Sequence, residues 1–348
     1  VAHYSFAMHM CRLVSVAALL LFSSSMYAQE DTALDAEIQS IAAAHHGKLA
    51  LFAQNLTTGE TASLDPDIPV QTASTIKLGI LLNAAEQIRS GQATFDEKLV
   101  LNHANQVAGS GVLAQLDTPL ALTLKDTLTL MVILSDNTAT NMAIDRLGLD
   151  RINQTLRAAG LKNAVLYKKV YLPATGPMPP DQPKFGLGKT TAHEMASIMA
   201  RFAHCNLQLN SAQPGSAPPQ GAAKPQSNAA EVPQADQHIC GTMLHILRNQ
   251  QDRDGIPRYL EVLDTSENGS AIANKTGALD AVRNDVALIA AKAGLIVISA
   301  FTYDNADQSW TPDNEAQVTI AKLAKAIVAR WSPQGLDATA FPYDKPKP

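Results

Sequence analysis

The apolar positions change period several times along the chain, and each change marks an element. Lys48 to Asn55 and Thr61 to Leu64 alternate on either side of Thr57-Thr58-Gly59-Glu60, which predicts a β-hairpin. From Ser74 to Ile88 the pattern turns helical, with Ile76, Ile80, Leu81, Ala84 and Ile88 on one broad face. Helices are also predicted over Leu122 to Leu134, Asn137 to Leu147, Ile152 to Ala159, Thr190 to Ala203 and Ile239 to Gln250. Ala271 to Thr276, Val286 to Ala291 and Leu295 to Tyr303 read as strands, the last two joined by Lys292-Ala293-Gly294. Ala316 to Trp331 is a long apolar-periodic helix, and the Pro-rich end over 334–348 reads as a tail.

Strands near both ends of a chain can join one antiparallel sheet, with terminal helices on its face and the middle helices as a second lobe. The expected organisation is an α/β lobe from 30–73 plus 251–333 and a helical lobe over 74–250. A site is expected in the cleft between them. The fold class is α+β.

Composition changes this picture little: 46% hydrophobic and 5% aromatic residues describe ordinary aliphatic cores. The net charge of −5, with no basic run to track phosphates, argues against a nucleic-acid partner. The first 28 residues matter more. Arg12, the apolar run Leu13 to Phe22, then Ser23, Ser24, Ser25 and Ala28 follow the order of a secretory signal, and the run is too short to span a bilayer. Met26 fits the cleavage motif poorly, and Val1 with Met8 and Met10 close behind leaves the start open. Cys11 precedes the apolar run, where a lipoprotein cysteine would follow it. The expectation is a periplasmic or secreted monomer without a stable membrane anchor.

Removing that signal leaves Cys205 and Cys240. In an oxidising compartment they are a candidate disulfide; two free thiols buried in helices are the alternative. The stretch between them, 210–237, is rich in Pro, Gly, Ala and Gln and is expected to be a loop or disordered insertion.

Three short motifs carry chemistry: Ser74-Thr75-Ile76-Lys77, Ser135-Asp136-Asn137 and Lys275-Thr276-Gly277. Serine is a weak nucleophile until a base takes its proton. Ser74 and Lys77, three apart at a helix start, point to one side of it, where free backbone N–H groups favour the charge formed in acyl transfer. A lysine desolvated beside a second cation loses its proton near neutral pH, which suits Lys77 as base and Lys275 as that cation. Lys275 also suits a substrate carboxylate, Ser135 a proton relay to the leaving nitrogen, and Asn137 a substrate amide. Asp136 fits a cap for the following helix.

In this order the motifs resemble the penicillin-recognising serine enzymes, above all the class A β-lactamases. The resemblance extends over most of the chain after the signal. Ser135 to Asn141 is similar to the family's turn and helix start, Lys189-Thr190-Thr191 to the opening of a later helix, and Arg283-Asn284-Asp285 to a strand opening. It implies a three-layer α/β/α sandwich with an antiparallel sheet plus a helical lobe. It also implies Ser74 as nucleophile, an oxyanion hole from the N–H groups of Ser74 and Ala278, and Arg283 on the substrate carboxylate with Lys275, Thr276 and Gly277. The substrate would be a β-lactam, hydrolysed at its amide with a role in antibiotic resistance. A D-Ala-D-Ala peptidase or transpeptidase and a β-lactam sensor that stays acylated are the alternatives. No metal or cofactor is implied.

One departure stands out. Class A enzymes carry Glu-x-x-Leu-Asn in a loop whose Glu activates the deacylating water; here the interval from Thr138 to Ala192 contains no glutamate. The corresponding place falls near Tyr171 to Thr175, Asn141 resembles the residue that steadies this loop, and Asp181 is a poor substitute for the base. His193-Glu194 lacks the second histidine of a zinc protease motif. Gly109-Ser110-Gly111 fails the nucleophile-elbow frame and fits a cleft-rim loop.

Overall fold

The structure, a computed structural model, describes residues 31–209, 232–264 and 269–343. The expected signal, residues 210–231 of the expected insertion and the last residues of the expected tail lie outside them. In chain order the strands are β1 (Lys48–Asn55), β2 (Thr61–Leu64), β3 (Val70–Gln71), β4 (Lys98–Leu101), β5 (Leu120–Thr123), β6 (Val165–Leu166), β7 (Gly188–Thr190), β8 (Ile272–Leu279), β9 (Val282–Ala291) and β10 (Gly294–Tyr303). The helices are α1 (Thr32–Ala43), α2 (Lys77–Arg89), α3 (Leu124–Ile133), α4 (Asn137–Leu147), α5 (Leu149–Ala158), α6 (Gln182–Phe185), α7 (Ala192–His204), α8 (Gln234–Arg248) and α9 (Glu315–Trp331).

Strands from both ends of the chain join one antiparallel sheet in the order β2-β1-β10-β9-β8. Every position of β9 is buried, which requires cover on both faces of the sheet. That cover comes from α9, packed on β9 and β10, and from α7, packed on β1, β9 and β10. Helix α7 belongs in sequence to the middle segment yet lies on the sheet, so the layers do not follow the chain order strictly. β8 is the edge strand, and its outward backbone groups are free to meet the rest of the site.

Helix α2 runs through the middle of the helices with Leu78, Ile80, Leu81, Leu82, Ala84 and Ala85 all fully buried. An apolar surface on every side is the signature of a helix enclosed by others. Its buried amides donate to neighbouring groups: Asn83 to Thr155 Oγ1 at 2.7 Å, and Gln87 to Leu147 O at 2.8 Å and to Asn83 Oδ1 at 2.9 Å, while Gln87 Oε1 has no partner among the described residues.

Several boundaries differ from expectation. The helix predicted from Leu122 begins at Leu124, because Thr123 caps it: Thr123 Oγ1 accepts from Asp126 N–H and Asp126 accepts from Thr123 N–H. The residues before it form β5, paired with the unforeseen β4. Helix α8 starts at Gln234 rather than Ile239, directly after Pro233, so the insertion stops short of 237. The expected tail is packed as far as Tyr343. Leu336 pairs with Ala291, and Leu336, Ala338 and Phe341 are buried in the main core.

Cys205 and Cys240 form a disulfide, with Cα atoms 5.6 Å apart. The bond ties the end of α7 to α8 across a sequence separation of 35 residues. Closing a loop of that size restricts the unfolded chain by about 4 kcal/mol. Cys205→Ser is expected to lower the unfolding free energy by about that amount in denaturant titrations, and reductant should bring the wild type to the same value. An unchanged midpoint would show that the bond does not constrain the unfolded state.

Candidate active site

The site forms where the start of α2, the start of α4 and the edge strand β8 converge. Ser74 sits in a 3₁₀ turn, Ala73–Ile76, that leads directly into α2. In such a turn residues i and i+3 lie one above the other, which aligns Ser74 with Lys77. Ala73 holds the left-handed φ of +43°, a strained conformation of the kind found at functional turns. The turn is braced by Thr72 O, which accepts from Thr75 N–H at 3.0 Å and Thr75 Oγ1 at 2.7 Å. Asn284 on β9 donates to Gln71 O at 2.9 Å and to Thr72 O at 3.2 Å. Ser74 is half-buried, and its hydroxyl has no hydrogen-bond partner among the described residues.

Two lysines converge on Ser135. Lys77 Nζ donates to Ser135 O at 2.8 Å, to Ser135 Oγ at 3.0 Å and to Asn137 Oδ1 at 3.4 Å. Lys275 Nζ donates to the same Ser135 Oγ at 3.1 Å and to Thr276 O at 2.7 Å. With both lone pairs engaged, the Ser135 hydroxyl keeps its proton free to donate. Both lysines are fully buried. Burial, then the charge of Lys275, pulls the Lys77 ammonium well below the usual lysine value. Burial brings Lys275 down to about 8, against the opposing charges of Asp252 and Asp285. Burial therefore disfavours the charged form of both lysines.

The edge strand closes the other side. A Cβ on Gly277 would lie 3.0 Å from the backbone nitrogens of Ser74 and Thr75 and 2.9 Å from Thr72 O, so only glycine allows β8 this close to the nucleophile turn. Ala278, next along β8, pairs with Arg283. Asn274, just before Lys275, donates to both oxygens of Asp285 at 3.0 and 3.2 Å. Its own Oδ1 accepts from Arg253 at 3.1 Å. Sequence reasoning missed this buried network; its only local signal was a polar residue at a strand position.

Asn137 opens α4 from the Asp136 cap, whose Oδ1 accepts from Ala139 N–H at 2.8 Å. Asp136 Oδ2 also accepts from Val112 and Leu113 N–H at 2.7 and 2.8 Å, which ties the loop carrying Gly109-Ser110-Gly111 to the site. Asn137 Nδ2 donates to Ala108 O at 3.2 Å, which leaves its second hydrogen for a ligand.

Hydrogen bonds and close packing thus bring together Ser74, Lys77, Ser135, Asn137, Lys275, Thr276 and Gly277. Arg283 is not joined to this cluster by a hydrogen bond. Its guanidinium donates to the carbonyls of Leu279, Val282 and Ser309 and lies 4.6 Å from the Trp310 ring centroid. Asp181 is engaged elsewhere: it accepts from Lys189 at 2.6 Å and from the Tyr167 hydroxyl at 3.2 Å, and the bond from Lys189 holds its carboxyl below the usual range. Asn141 brackets Val170, donating to its carbonyl at 3.0 Å and accepting from its N–H at 2.8 Å. The loop position held in this way is one residue earlier than the sequence suggested. His193 pairs with Asp67, Glu194 accepts from Asn163, and no group of metal-ligating side chains occurs among the described residues. No described helix is long and apolar enough to cross a membrane.

Fold and site together define a serine hydrolase of the β-lactamase fold. The model of the Beta-lactamase enzyme family matches residues 33–214 and 229–331, and the chain belongs to that family. Among solved structures, a β-lactamase from Sphaerobacter thermophilus is 25% identical with a TM-score of 0.67, aligned over 86% of this chain and 97% of that one. PBP-A is similar at 22% identity and a TM-score of 0.65, over 86% of this chain and 96% of its own. A point mutant of PBP-A, solved as its acyl-enzyme complex with penicillin G, is 21% identical with a TM-score of 0.65 over the same shares. No curated protein matches the chain.

Proposed function

We propose that this protein is an exported serine hydrolase that acylates Ser74 with β-lactams and releases the product slowly. The observation that carries this reading is the convergence of Lys77 and Lys275 on Ser135 Oγ. Neutral Lys77 takes the proton of Ser74 as Oγ bonds to the lactam carbonyl carbon. The N–H groups of Ser74 and Ala278 hold the oxyanion. When the carbon–nitrogen bond breaks, Lys77 returns the proton through Ser135 to the leaving nitrogen. Asn137 holds the side-chain amide of the substrate, and Lys275, with Thr276, holds its carboxylate. Arg283 supports that carboxylate site by fixing the β8–β9 turn. The secretory pattern before Ala28 and the disulfide support export to a periplasmic or extracellular space. The test is a stopped reaction with a chromogenic cephalosporin, which should give a burst of about one equivalent followed by slower turnover.

The absence of glutamate between Thr138 and Ala192 favours a second reading as well. The same residues suit an acyl-D-Ala-D-Ala substrate in a peptidase or transpeptidase, or a sensor that remains acylated. Release of D-Ala from such a peptide would select the peptidase; a permanent adduct would select the sensor.

The charge of Lys275 sets the alkaline limit. Above about pH 8 it loses its proton, the carboxylate loses its partner, and acylation efficiency is expected to fall. Lys275→Arg should move that limb upward by more than about one pH unit, because a guanidinium stays charged. Identical limbs in the two proteins would assign the limit to another group.

A further inference from the structure

Tyr171 has no part in the chemistry just described, yet it stands at the rim of the site in an unusual state. Its backbone takes a left-handed φ of +57°, a conformation disfavoured for a bulky residue. The residue is 69% exposed, and its hydroxyl has no hydrogen-bond partner among the described residues. The strain is held from the preceding residue, because Asn141 clasps both the N–H and the C=O of Val170.

The ring is directed at one place. A Cβ on Gly109 would lie 2.8 Å from Tyr171 Cε2 and 3.1 Å from the Tyr171 hydroxyl oxygen, and 2.6 Å from Asn137 Nδ2. Tyr171 and Asn137 therefore close on the same glycine, and the aromatic ring borders the amide that keeps a spare N–H for a ligand. Gly109 itself adopts φ +91° and has no side chain to fill the space. The rim loop is held there by Asn137 N–H donating to Ser110 O at 3.0 Å. An exposed, preorganised aromatic surface beside an amide-binding group is suited to an apolar substituent carried on that amide.

We propose that Tyr171 is a specificity-determining residue whose ring walls the subsite beyond Asn137 and selects β-lactams bearing a flat aromatic acylamino side chain. The proposal rests on the reading of Ser74 as the acylated nucleophile and Asn137 as the amide-binding residue. The Asn141 clasp on Val170 fixes the backbone next to Tyr171, and the ring edge lies against Gly109, which limits the ordering required on binding.

The test compares second-order acylation rates for benzylpenicillin and for 6-aminopenicillanic acid, which lacks the acyl side chain. Tyr171→Ala is expected to slow benzylpenicillin about tenfold, the scale of one lost aromatic contact with its buried area, and to leave 6-aminopenicillanic acid within about twofold. Tyr171→Phe should retain the wild-type preference, because the ring and not the hydroxyl makes the contact. An equal loss on both compounds, or no loss on either, would overturn the proposal while leaving acylation of Ser74 intact. Failure of the wild type to react with either compound would overturn the acylation reading itself, and the assignment of Tyr171 with it.

Discussion

Glutamate in place of Val170 is expected to speed release of the acyl group from Ser74 by about 10²–10⁴-fold, the usual worth of a positioned general base. The family resemblance ties deacylation to a loop glutamate steadied by an asparagine. Here the asparagine is present as Asn141, and its two hydrogen bonds fall on half-buried Val170. The scaffold that would orient a base thus already exists, and the position carries a side chain that can neither accept nor donate a proton. Asp181 does not compensate, because its carboxylate is paired with Lys189. Val170→Gln is the control: it has the size and polarity of glutamate without the basicity. Single-turnover decay of purified acyl-enzyme should be fast for Val170→Glu and slow for both Val170→Gln and the wild type. Equal rates for the two variants would show that the Asn141 clasp does not mark the position of the base.

Ser74→Ala is expected to abolish covalent labelling by β-lactams altogether. Nothing else in the cluster offers an equivalent nucleophile. The Ser135 hydroxyl accepts from two lysines, and Ser135 itself has a left-handed φ of +53°. Loss of labelling with retained thermal stability would separate chemistry from folding, since the Ser74 side chain makes no hydrogen bond among the described residues. Labelling of Ser74→Ala at another residue, found by peptide mapping, would move the nucleophile.

The legible parts of this fold are those specified by short-range signals. β1 and β2 fall at their expected bounds because the intervening turn contains Gly59, whose φ is +82°. Helix α4 does so because Asp136 caps one end and Gly148, at φ +87°, ends the other. The motif order carried Ser74, Lys77, Ser135, Asn137 and Lys275 into one site because each motif sits at the start of an element or on an edge strand. What escaped depended on contacts distant in sequence. β4 and β5 are four-residue strands, largely exposed or half-buried, whose pattern merges with the helix that follows. The segment after Trp331 looked like a tail because prolines and charges dominate it, whereas Leu336 and Phe341 are fixed by packing against the sheet and core. The start of α8 was readable in principle: Pro233 followed by Asp236 in the first turn is a helix-start signal that the low complexity of the preceding residues masked. No local pattern announces the left-handed backbone of Ala73 or Tyr171, or the turn of Arg283 toward the carbonyls of Leu279 and Ser309.

Whether β-lactams acylate Ser74 faster than the acyl group leaves it is tested most directly by intact-protein mass spectrometry over a time course begun on mixing with excess benzylpenicillin. One penicillin mass per chain is expected to appear within the burst, to map to the peptide containing Ser74, and to decay much more slowly than it formed. Steady consumption of penicillin with no accumulated adduct, or an adduct on any residue other than Ser74, would contradict this expectation.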